Sequence, residues 1–182
     1  MKKLMFMLAA VAVAACAQAA SVSWTCTNVK DGTGSAISGI AYFVNAATLS
    51  QETLATYTKA SDFTTALSGM YNWTPETAGK YSNADGVANA TLGLSDGTAS
   101  HAYLLIFDTT MITDASNYYM TEVKDFNTLT GSYEAQIKWG SQSTASQAAG
   151  AWTSVTGSVP EPTSGLLMLL GMAGLALRRK RA

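Results

Sequence analysis

The chain is short of the side chains that most often carry chemistry. It has one histidine, His101, and two cysteines, Cys16 and Cys26. Structural zinc sites draw mainly on those two residue types and usually need four ligands, so the inventory excludes them along with multi-histidine centres. Haem and iron–sulfur centres fail or are strained on the same ligand count. Cys16 lies in an apolar N-terminal run, which leaves Cys26 as the single cysteine of the domain that follows, so no internal disulfide can form there. No Gly-x-Ser-x-Gly elbow accompanies His101, and neither a phosphate-cradling glycine loop nor an Asp-x-Asp-x-Asp-Gly calcium loop is present. No apolar run reaches the about 20 residues that a bilayer span needs, and no internal repeat of solenoid or propeller length is found. Arginine is missing until Arg178.

What is present is most legible at the two ends. Lys2 and Lys3 precede an uncharged apolar run over residues 4–15, and Ala17-Gln18-Ala19 follows. A positive start, a short apolar middle and an Ala-x-Ala exit are the three parts of a secretory signal. Residues 1–19 therefore read as a signal peptide that signal peptidase removes, with Ala17 and Ala19 at the positions it recognises. A rival route is lipoprotein processing: Val13-Ala14-Ala15-Cys16 resembles a lipobox, and an acyl chain on Cys16 would anchor the product by burying its CH₂ groups.

At the other end, Val159-Pro160-Glu161-Pro162 precedes an apolar run over residues 165–177, and Arg178, Arg179, Lys180 and Arg181 follow. Proline fixes φ and extends the residue before it, so Pro160-Glu161-Pro162 makes an extended spacer that a protease can reach. The apolar run suits a short membrane helix, and the four cations act as a basic stop on the cytoplasmic side. This three-part tail, residues 159–182, resembles the PEP-CTERM sorting signal. The resemblance implies an exosortase-type processing enzyme as partner, cleavage near Pro160-Glu161-Pro162, transient membrane insertion through the C-terminal helix, and a bacterial envelope that makes exopolysaccharide. No Leu-Pro-x-Thr-Gly sortase signal occurs.

Residues 20–158 then form one extracytoplasmic domain of about 140 residues, enough to bury a core of its own. It holds five lysines (Lys30, Lys59, Lys80, Lys124, Lys138) against eleven carboxylates, a formal charge of −6 hidden inside the whole-chain value of −1. Such a surface repels phosphate backbones, so nucleic acid is disfavoured as a partner. Alternating and apolar runs predict strands at 22–29, 37–44, 88–94, 101–108, 118–124, 133–139 and 152–155. The run over 102–107 predicts a central strand buried on both faces. Ser50, with Glu52 behind it, predicts a helix N-cap, and Ser61-Asp62-Phe63 opens a second helix that ends at Gly69. Residues 141–150 read as a loop. The expected fold is mainly β, an antiparallel β-sandwich or barrel with a short helical insertion.

Candidate chemistry is sparse. His101 could serve as a general base only in a triad that the sequence does not otherwise show, and a surface histidine at a strand start is the expectation. Glu76, Asp108, Glu122 and Glu134 could supply a glycosidase pair, which needs two carboxyls about 5–10 Å apart, but no spacing singles out two of them. Asp31, Asp85, Asp96 and Asp114 fall in expected loops and could offer oxygens to calcium, although turn chemistry explains them as well. Tyr42, Trp73, Tyr81, Tyr118, Tyr119, Trp139 and Trp152 could stack on sugar rings where exposed; Tyr118 and Tyr119 point to opposite faces of one strand, so at most one of them is free. Asn72-Trp73-Thr74 and Asn89-Ala90-Thr91 are formal glycosylation sequons without meaning in a bacterium that lacks the transferase. The expectation is an exported surface or matrix protein, non-catalytic and without cofactor or metal, associating with extracellular polysaccharide or envelope; a secreted glycan-acting hydrolase is the alternative.

Overall fold

The computed structural model describes residues 20–142 and 151–155. The signal residues Cys16, Ala17 and Ala19, the sorting motif Pro160, Glu161 and Pro162, the basic stop Arg178, Arg179, Lys180 and Arg181, and most of the expected loop at 141–150 lie outside the described residues. Among the described residues no helix is long and apolar enough to cross a membrane.

Strand β1 (Ser21–Thr27) buries Val22, Trp24 and Cys26 on one face, two residues apart, and Ser23 between them is also covered. It is the middle of a three-stranded sheet. On one side it pairs antiparallel with β4 (Tyr81–Ala88), and on the other it runs parallel to β8 (Glu134–Ser141). The wholly antiparallel expectation therefore gives way at this pair. A parallel neighbour needs a long crossover connection, and nearly the whole domain supplies it between Thr27 and Glu134.

The second sheet has the order β3 (Asn72–Trp73), β2 (Ala41–Asn45), β5 (Ala99–Phe107), β6 (Asn117–Met120), β9 (Thr153–Ser154), and β7 (Lys124–Asn127) also pairs with β5. Both sheets are open. β5 is the central strand that its apolar run predicted. Ala102, Leu104 and Ile106 enter one apolar cluster, built with Trp24, Tyr81 and Trp139 of the three-stranded sheet. Tyr103, Leu105 and Phe107 enter a second cluster with Leu54, Phe63 and Leu67. The helices α1 (Gln51–Leu54) and α2 (Ala60–Ala66) thus supply the cover on the other face of β5. Tyr118 and Tyr119 separate in the same way, one into each cluster, and both are buried.

The caps follow local chemistry. Ser50 Oγ accepts from Thr53 N at 3.2 Å, with Glu52 in the first turn of α1. α2 starts at Ala60, one residue before the expected start. Its end is held by two carboxylates: Asp62 Oδ2 accepts from Lys59 N, and Asp114 Oδ1 accepts from Ala60 N at 2.7 Å.

Two of the expected strands change, and β4 forms where the sequence predicts none. Ala88 ends β4 and residues 89–94 form no strand; Asn89–Leu92 is a 3-10 turn closed by Gly93 at φ 66°. The turn forms because the Asn89 side chain is buried and donates to Asp96 Oδ1 at 2.7 Å and to Leu129 O at 3.3 Å. The strand lies just before it, in β4, whose Ala84-Asp85-Gly86 carries turn-forming residues inside a bulge. Residues 84–86 stand opposite Ser23 alone, between the pairs Val22↔Val87 and Trp24↔Asn83. Gly86 takes φ 68° there, and a Cβ would lie 2.7 Å from Glu134 Oε1. The strand expected at 118–124 is two strands, β6 and β7, laid end to end along β5. Between them Leu104 N donates to the Thr121 hydroxyl at 2.9 Å instead of to a backbone carbonyl, while Thr121 N donates to Leu104 O.

Candidate functional site

A concavity lies between β3 and β4. After α2 the chain turns at Gly69, φ 76°, and runs through Tyr71-Asn72-Trp73 along β2. Tyr71 and Trp73, two residues apart, both pack on the first cluster, where buried Trp24 is the base on which they rest. Ring centroids are 4.8 Å apart for Trp24–Trp73, 5.7 Å for Trp24–Tyr71 and 5.9 Å for Tyr71–Trp73. Both rings are only partly buried, and they line a groove of about 460 Å³. The far wall comes from Asn83 and Asp85 of β4, and Glu76 and Lys80 complete the rim. Asn83 Nδ2 donates to Tyr71 Oη at 3.1 Å, which ties the two walls together. The Trp73 indole N–H is buried without an acceptor among the described residues.

A second depression of about 270 Å³ adjoins the first. Tyr71 lines both, and Phe43, Asn45, Ser68, Met70 and Leu92 supply part of the second.

The groove holds two carboxylates, Glu76 and Asp85, both exposed. The sequence singles out no carboxylate pair, and it places Asp85 among the turn residues and calcium candidates. The four glycosidase candidates are dispersed. Asp108 accepts from Asn117 N and Nδ2, both at 2.8 Å, which makes it a structural clamp at the start of β6. Glu122 pairs with Lys124 at 2.5 Å. Glu134 lies against Gly86 in the bulge.

Three of the four calcium candidates are engaged within the fold, while Asp85 lies exposed in the groove. Asp31 Oδ1 accepts from Thr33 N, Thr33 Oγ1 and Ser35 N within its own turn, and the Thr33 hydroxyl, followed by the Ser35 N–H, holds its carboxyl below the usual range. Asp96 receives the Asn89 amide and Asp114 caps α2. Among the described residues no group of three or more His, Cys, Asp or Glu could hold a metal.

His101 sits opposite Asp125 in the β5–β7 register, and its Nδ1 lies 2.7 Å from Asp125 Oδ1. Ser50 lines the same shallow depression. A Ser-His-Asp set is thus gathered in one region, but the side chains of His101 and Asp125 are 52% and 80% exposed, and the Ser50 hydroxyl is engaged in capping α1. A triad needs a base shielded and aimed at a free nucleophile. The arrangement is that of a surface histidine steadied by its cross-strand neighbour.

Of the seven aromatics considered from the sequence, Tyr81, Tyr118, Tyr119 and Trp139 are buried, while Tyr42, Trp73 and Trp152 remain partly exposed. Trp152 leans on Tyr119 at 5.8 Å and donates its indole N–H to Lys30 O at 2.9 Å. Sequence reasoning missed Tyr71 and Asn83. The i, i+2 spacing of Tyr71 and Trp73 was the available signal, since it puts both rings on one side of an extended segment. Cys26 is a free, fully buried cysteine.

Residues 158–181 match the family model of the PEP-CTERM protein-sorting motif. That match supports an exported protein targeted to an exosortase. No curated protein and no solved structure matches the chain.

Proposed function

With the sorting tail as premise, we propose that this is a surface or extracellular-matrix protein whose β-rich domain holds an uncharged glycan without cleaving it. One observation carries the reading: Tyr71 and Trp73 stand side by side on a buried Trp24 base, facing a polar wall that includes Asn83. Aromatic rings take up the apolar face of a sugar, and nearby amides and hydroxyls satisfy its rim. The two acids in the groove argue against hydrolysis. A retaining or inverting pair works because burial raises the pKa of one member, and both Glu76 and Asp85 lie open to water. Their charge, with the acid excess of the domain, selects against anionic polysaccharide. Signal peptidase and the exosortase-type enzyme process the two ends, and the apolar tail anchors the precursor until then. The architecture that best fits two open sheets sharing one core is a sandwich.

The test is glycan-array binding of the processed protein purified from its host. Retention on neutral glycans, lost in Asn83→Ala and weakened by Trp73→Leu, is expected. Release of reducing ends from any bound glycan would replace this reading with that of a secreted hydrolase, for which Glu76 and Asp85 in one groove are the supporting observation.

A further inference from the structure

We propose that the binding track continues past Tyr71 into the second depression, so that the domain grips an internal stretch of an extended neutral chain and not a single sugar or a chain end. This rests on the glycan-binding reading above and specifies its ligand further.

Tyr71 is common to both depressions, which makes it a divider between two contiguous subsites. At about 270 Å³ the second depression is smaller than the roughly 300–1,000 Å³ typical of independent ligand sites. It serves as an extension of the 460 Å³ groove, and the two together fall well within that range. Their walls differ in kind. The first carries Glu76, Lys80 and Asp85; the second has no charged residue and combines Phe43, Met70 and Leu92 with the short polar groups of Asn45, Thr48 and Ser68. An anionic repeat would meet the acids of the first, and a charged repeat of either sign would be desolvated without a partner in the second. An uncharged chain suits both. At Gly69 and Gly93 the wall is bare backbone, with nothing within 4 Å of where a Cβ would stand, so a passing chain meets no side chain there.

The measurement is affinity along ladders of neutral oligosaccharides, from disaccharide to octasaccharide, of the gluco- and manno- series, using the processed protein and its Ser68→Arg variant. Ser68 is exposed and lines the far depression only, whereas Trp73 and Asn83 line the first groove only, so an arginine at 68 is aimed at the extension. For the parent protein, affinity should rise about tenfold or more from disaccharide to hexasaccharide and then level off. The variant should keep disaccharide affinity and lose the length-dependent gain. Affinity independent of length in the parent, or equal losses for short and long oligomers in the variant, overturns the two-subsite track while leaving glycan binding intact. Failure of the parent to bind any oligomer of either series overturns the glycan reading and this inference with it.

Discussion

Cys26 illustrates how burial decides chemistry at the scale of one residue. Its side chain is enclosed between the sheets, and desolvation pushes the thiol up from its ordinary 9.0 to about 12. The thiolate is the reactive form, so the folded protein should not react with a thiol reagent at pH 8 and should react fully once unfolded in urea. Tyr81 and Tyr103 are raised in the same direction, again chiefly by burial. For each of these acids the fold favours the neutral form, while the unfolded chain ionises at the ordinary value. Above pH 9 the unfolded state therefore binds fewer protons than the folded one, and stability is lost as pH rises toward 12. For Cys26 alone the slope approaches that of one proton per chain within that window. A urea midpoint that falls between pH 8 and 10.5, less steeply in Cys26→Ala, is the expected result; a flat profile would contradict the burial of these groups.

At the scale of elements, α2 shows a short helix held by a distant side chain. Seven residues are too few to be stable alone, and Phe63 fixes the helix by packing at 5.6 Å from Phe107 and 5.0 Å from Tyr118. The Ala60 N–H is satisfied from 54 residues away by Asp114. Asp114→Ala should cost about 1 kcal/mol, within the ordinary range for a lost cap, read as a lower urea midpoint with an unchanged slope; no loss would mean that Asp62 alone suffices. The elements also show where sequence patterns hold and where they fail. β5 was legible because a strand buried on both faces must be apolar at every position, whatever its neighbours. Ser50 was legible because a cap is a contact within three residues. β4 was not, because Asn83-Ala84-Asp85-Gly86 has the composition of a turn, and only pairing with β1 makes it a bulged strand. The break at Thr121 was equally hidden, since it depends on a hydroxyl replacing one rung of the ladder with Leu104.

At the scale of the whole molecule, Ala20, the residue after the expected cut, is 1% exposed and its carbonyl accepts from Asn89 N at 2.9 Å. A mass measurement on the processed protein should give Ala20 as the first residue; an acylated Cys16 would establish the lipoprotein route instead. Replacing Pro160, Glu161 and Pro162 with alanine in the native host should leave the protein in the membrane with its tail attached. Unchanged release or display would reduce the tail to a simple anchor.

What the sequence by itself determined is what linear neighbours determine: the sorting motif at residues 158–181, the −6 charge of residues 20–158, the scarcity of histidine and cysteine, the apolar run of β5 and the Ser50 cap. Each depends on composition or on contacts within a few residues, so no fold is needed to read it. The tertiary structure alone decided the parallel pairing of β1 with β8 and the groove that sets Tyr71 and Trp73 against Asn83 and Asp85. Those depend on which strands become neighbours and in what register. A shift of one residue in that register would turn each side chain to the other face, and no local pattern in residues 71–85 specifies it.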